Sequence, residues 1–119
     1  MKAMRNGCQR ATQPADLNRF VLERLNAGDV DGLVALYGPD EVLIVPTIRA
    51  VGHREIRAAY EQFVAAKPEF AAGETQPAIR NGDLALTSVR LAGGGVTVEV
   101  ARRQPDDTWL WGIDQPSLR

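Results

Sequence analysis

Histidine and cysteine are nearly missing from this chain, and their scarcity removes whole classes of chemistry. Cys8 is the one cysteine in 119 residues, so no intrachain disulfide can form and a reducing cytoplasm is the expected location. His53 is the one histidine, which leaves any metal centre to carboxylates alone. No ligand spacing supports such a centre, and neither a metal nor another cofactor is expected. Charge of one sign is not in excess either: 14 Lys and Arg stand against 15 Asp and Glu, a formal net charge of −1. Without a basic field the chain cannot gather phosphate backbones or anionic lipid, so nucleic acid and membrane are not expected partners. No segment reaches the roughly 18 apolar residues of a membrane span. Lys2, Arg5 and Arg10 are not followed by the apolar stretch of a signal peptide.

What is present reads as one domain, large enough to bury about two thirds of its unfolded surface. Residues 1–12 lack periodicity and are expected to form a flexible leader, with a single domain over 13–119. Leu17, Phe20, Val21 and Leu25 form one apolar helical stripe, stopped by Gly28. Asp29 is placed to cap a second helix, whose stripe of Val30, Leu33, Val34 and Tyr37 runs to Gly38-Pro39. A β-rich run follows from Glu41 to Ile48, with Pro46 marking a bend or an edge. After Gly52, a third stripe of Ile56, Tyr60, Phe63 and Val64 predicts a helix closed by Pro68. Asn81-Gly82-Asp83, Gly93-Gly94-Gly95 and Pro105-Asp106-Asp107 then separate apolar runs near 74–80, 84–92, 96–104 and 108–114. The expected architecture is α+β, three N-terminal helices packed on a curved antiparallel sheet.

The run from Val96 alternates, sending Val96, Val98 and Val100 to one face and Thr97, Glu99 and Ala101 to the other. If the helices cover the Glu99 face, the valines are left outside, and a homodimer packed through Val98 and Val100 is expected. Trp109 and Trp111 share a face and fit either that dimer surface or a pocket wall.

Asn26-Ala27-Gly28-Asp29, Leu36-Tyr37-Gly38-Pro39-Asp40, Gly52-His53-Arg54-Glu55-Ile56 and the closing strand from Trp109 together resemble the superfamily with the cone-shaped, cystatin-like fold of nuclear transport factor 2. That superfamily includes ketosteroid isomerases and SnoaL-like polyketide cyclases, and the likeness spans about residues 14–117. It implies a cone with a small-molecule pocket. In the isomerases an Asp before the first-strand proline is the general base, and Val45 stands at that position here. Their donor tyrosine falls near Phe20 or Val21, neither of which has a hydroxyl. Their acid of the oxyanion hole maps onto Glu99, and their supporting tyrosines onto Tyr37 and Tyr60. Steroid double-bond isomerisation is therefore not expected, since an oxyanion hole without a base has little to stabilise.

The expected function is binding of a small apolar or aromatic metabolite, with Tyr37, Val45, Tyr60, Phe63 and Trp111 as ligand-binding residues. Glu99 and Asp114 are the candidate catalytic pair: carboxyls on the pocket face of adjacent strands are desolvated and suited to acid and base roles. Each has a plainer reading, Glu99 as a partner of Arg90 or Arg103 and Asp114 as a strand-end cap. Two alternatives stay open. One is a lyase, isomerase or hydrolase using Glu99 with Asp114 or Tyr60, and the other is a non-catalytic dimerisation module.

Overall fold

The computed structural model describes residues 9–45, 48–66 and 72–118, except the side chains of Asp40, Val45, Ile48 and Pro116 to Leu118. Pro46 and Pro68, expected to bend a strand and to close a helix, lie outside the described residues. The elements in chain order are α1 (Asp16–Ala27), α2 (Val30–Val34), β1 (Tyr37–Val45), β2 (Ile48–Val51), α3 (Gly52–Ala65), β3 (Glu74–Thr75), β4 (Ile79–Asn81), β5 (Leu84–Arg90), β6 (Val96–Arg103) and β7 (Trp109–Leu118).

Gly28 ends α1 in the left-handed region at φ 69°, and the Asp29 N–H returns to the Arg24 carbonyl at 2.9 Å. Such a close suits glycine because a Cβ disfavours positive φ. Asp29 then caps α2, its Oδ1 accepting the Gly32 N–H at 3.0 Å. The second helix stops at Val34 instead of reaching Tyr37. Leu36 gives its carbonyl to the Trp111 N–H at 2.8 Å, and Tyr37 opens β1 opposite Trp111. Pairing with a distant strand overrides the local helical stripe, which is how tertiary contacts commonly defeat short propensity patterns. The turn into α3 is made by Gly52 at φ 82°, and Glu55 Oε1 accepts the Val51 N–H at 2.8 Å.

The sheet runs β2-β1-β7-β6-β5-β3, with β4 also paired to β5. Every pair is antiparallel except β1 with β7, so the sheet is mixed where the sequence suggested a purely antiparallel one. Helices cover one face, where Leu17, Phe20, Leu33, Ile56, Ala101 and Trp111 form the centre of the core. Ala11 is buried and bridges Trp109, whose N–H donates to the Ala11 carbonyl at 2.9 Å.

One irregularity decides which way the last strand points its side chains. Ala101 pairs with Trp111 and Val100 with Ile113, so Gly112 is an extra residue in β7. Strict alternation from Trp109 and Trp111 would turn Asp114 outward. The bulge at Gly112 reverses the phase, leaving Ile113 exposed and Asp114 buried.

Candidate functional site

Between α1, α3 and the covered face of the sheet lies a cavity of about 530 Å³. Val21, Leu22 and Leu25 of α1, Phe63 of α3, Leu43 of β1 and Val89 of β5 supply apolar wall. Glu99, Asp114, Tyr60 and Trp111 also line it. Glu99 and Asp114 are directly paired across β6 and β7, a placement in which side chains on one face stand about 5 Å apart at Cβ. Both are buried.

Each carboxyl has its own set of donors. Glu99 Oε1 accepts the Asn18 amide at 2.9 Å and the Thr87 hydroxyl at 2.6 Å. Burial pushes the Glu99 carboxyl up, while Thr87, Thr97 and Asn18 pull it back by favouring the anion. Asp114 Oδ2 accepts the Tyr37 hydroxyl. Tyr37 has one O–H and spends it there, so Tyr60 is the donor in the 2.6 Å contact between the two tyrosine oxygens. The chain therefore runs Tyr60 to Tyr37 to Asp114. Asp114 is pushed up to about 8, first by burial and then by the nearby charge of Glu99, against a smaller opposing pull from the Tyr37 hydroxyl. Tyr37 and Tyr60 are raised well above the usual phenol range, chiefly by burial. A poorly supported Asp114 beside a well-supported Glu99 is the arrangement that separates an acid from a base.

Neither carboxyl pairs with an arginine among the described residues. Arg90 bridges Glu74 and Arg103 bridges Asp83, both at the surface. Asp114 does not act as a strand cap, since its partner is a tyrosine hydroxyl. Tyr60, Phe63 and Trp111 reach the cavity, whereas Tyr37 stands behind the wall and holds Asp114 from outside. The Val45 side chain lies outside those described. Trp109 and Trp111 both turn inward and are buried. His53 stays outside the cavity, its Nε2 2.8 Å from the Tyr37 carbonyl, which requires the Nε2–H tautomer to donate.

Asn18 was not among the residues singled out by sequence. Its signal was available: with Val21, Leu22 and Leu25 it completes a stripe at helical spacing, a polar residue on an apolar face. Two polar atoms in the wall are left over. Asn18 Oδ1 and the Trp111 indole N–H are buried and make no hydrogen bond among the described residues. No group of three or more His, Cys, Asp and Glu suited to a metal occurs among those residues, and none of their helices is long and apolar enough to cross a membrane.

Residues 17–114 match the family model of the SnoaL-like domain. The chain belongs to the SnoaL-like domain family. No significant match to a protein of curated function was found. Among solved structures, a putative calcium/calmodulin-dependent protein kinase type II association domain from Thiobacillus denitrificans superposes with a TM-score of 0.75 at 17% identity, over 92% of this chain and 99% of that one. A domain of unknown function with a cystatin-like fold from Nostoc punctiforme gives 0.72 at 18%, over 88% and 74%. A ketosteroid isomerase-like protein from Erwinia carotovora atroseptica gives 0.68 at 20%, over 85% and 90%. At these identities the likeness establishes the cystatin-like fold expected from sequence, and the fold alone.

Proposed function

We propose that this SnoaL-like protein is a cytoplasmic pocket protein that takes a small apolar or aromatic metabolite into the cone. The observation that carries this reading is the cavity of about 530 Å³, walled by aliphatic and aromatic side chains and bearing two buried carboxyls. That volume and that mixture of a wide apolar wall with few polar groups are usual for small-molecule sites. The carboxyl pair also supports acid–base chemistry on such a ligand, of lyase, isomerase or hydrolase type, with Glu99 taking a proton and Asp114 giving one. Thermal unfolding with a panel of neutral aromatic compounds tests the pocket. Several should raise the melting temperature of the native chain and lose that effect in L22W, which fills the cavity from α1. A panel without any stabiliser would refute the reading. An unsaturated ketosteroid should not be isomerised.

A second reading concerns the uncovered face. Val51, Val42, Ile113, Val100, Leu86 and Ile79 pair in succession across β2, β1, β7, β6, β5 and β4. This single apolar row crosses the sheet, and Ile79, Ile113 and Leu86 are 67%, 50% and 41% exposed. A second copy of the chain, packing the same uncharged row against itself, covers it by the simplest symmetry. Two of the similar structures are described as association domains. The dimer should be seen by light scattering at micromolar concentration, and I113D should convert it to monomer with its fold intact. A native monomer under those conditions would exclude it.

A further inference from the structure

The cavity holds two acids and is poor in cations. Arg19 is the one cation among the described lining residues, and its charge is engaged elsewhere: it is about half exposed, bridges Asp16 at 3.4 Å and Glu23 at 3.6 Å, and lies over the Phe20 ring. Glu99 and Asp114 thus face each other with hydrogen-bond donors but no compensating positive charge. Beside them Asn18 Oδ1 is an unused acceptor, more than nine-tenths buried, on the very side chain whose amide holds Glu99. Asp114 accepts the Tyr37 hydroxyl through Oδ2, and its carboxyl lines the cavity. Apart from the Trp111 indole N–H, an unused donor in the same wall, the unmet needs of this corner are for donors and for positive charge. A neutral hydrocarbon would supply neither, and an anionic ligand would bring negative charge against Glu99 with no cation to offset it.

We propose that the ligand is an amine: an aromatic or aliphatic molecule whose protonated nitrogen sits among Glu99, Asp114 and Asn18 Oδ1, with its apolar body along Tyr60, Phe63 and Trp111. This rests on the pocket reading above and narrows it to a ligand class. An ammonium has several N–H donors, which suits three converging acceptors. Charge-assisted hydrogen bonds in a desolvated site are among the stronger ones available, and aromatic walls add attraction for a cation. The groups that titrate or bear charge here are Asp114 on β7, Glu99 on β6, Tyr37 on β1, Tyr60 on α3 and Arg19 on α1. Of these, Asp114 holds a proton at neutral pH in the empty site. Seating an ammonium favours its anion, so binding near pH 7 releases up to one proton to solvent.

Matched indole probes test this with the full chain: tryptamine as the cation, tryptophol as its neutral counterpart and indole-3-acetate as the anion. By calorimetry at pH 7, tryptamine should bind about tenfold or more tightly than tryptophol, and indole-3-acetate most weakly. Titrations of tryptamine in phosphate and in Tris should differ in heat by the buffer ionisation of the released proton. D114N and E99Q should each remove most of the amine preference. Tryptophol binding as well as tryptamine would overturn the amine assignment and leave the pocket reading standing. Failure of all three indoles and of the neutral aromatic panel would remove both.

Discussion

Between pH 5 and pH 8 the native chain should lose stability, by on the order of 3 kcal/mol, and D114N should lose much less. The Asp114 carboxyl, ordinarily near 3.8, is pushed up to about 8 in the folded protein. Between those two values the folded state keeps a proton that the unfolded chain has given up. Stability therefore falls as pH rises through the window. The contribution is complete below the unfolded value and gone above the folded one. Glu99, raised in the same direction by burial, acts with the same sign. For a domain of this size the drop amounts to roughly 10 °C in melting temperature. Asparagine at position 114 still offers an oxygen to the Tyr37 hydroxyl and has no charge at any pH. The variant should cut the pH slope by more than half and should be the more stable of the two proteins at pH 8. Melting curves of both proteins at pH 5, 6, 7 and 8 decide the matter. A native melting temperature that rises over this range, or a slope unchanged in D114N, would show that Asp114 is ionised in the fold.

How far the site could be read in advance follows from this residue. Glu99 was legible because Val96 to Ala101 alternates without interruption, and alternation assigns faces. Asp114 could be counted inward only by linking it to Glu99, because the regular phase from Trp109 and Trp111 points the other way. The register slip at Gly112 that turns it inward depends on how β7 pairs with both β6 and β1. One glycine between Trp111 and Ile113 does not by itself announce a bulge. The Tyr37 error has a similar origin. Its spacing from Val30, Leu33 and Val34 is helical, and only a parallel partner 74 positions away, Trp111, makes it the first residue of a strand. Caps and breaks at Gly28, Asp29 and Gly52 were legible because their causes are local: positive φ at the two glycines and a side-chain oxygen within three residues of its donor.

Arg24 should prove the most costly single charge to remove from this chain, and nothing in its sequence neighbourhood marks it. It is 1% exposed, in the last turn of α1. Its position falls in line with buried Leu17 and Phe20 and partly buried Val21, but a lone arginine on a helix ordinarily reaches for solvent. Here the guanidinium donates to the Gly32 carbonyl through NH1 and to the Gln9 carbonyl through NH2, each at 2.7 Å, and lies over the Phe20 ring at 4.8 Å. The Gly32 contact follows from the early stop of α2, since a helix of five residues leaves its carbonyls without following N–H groups. The Gln9 contact ties the N-terminal segment beside its bridge from Ala11 to Trp109. R24M keeps the packing of the stem and removes the donors to Gly32 and Gln9. It relieves the desolvation of a cation, but it strips the buried Gly32 carbonyl and the part-buried Gln9 carbonyl of their charged donor, and the second effect should win. A loss of about 3 kcal/mol in urea denaturation is expected, a large share of the 5 to 15 kcal/mol typical of a domain. Hydrogen exchange separates a staple from general core damage. The Trp109 N–H, bonded to the Ala11 carbonyl at 2.9 Å, should exchange faster in R24M by more than global destabilisation accounts for, while the Trp111 N–H should follow the global change. A cost below about 1 kcal/mol, or equal acceleration at the two tryptophans, would mean that Arg24 is merely accommodated in the core.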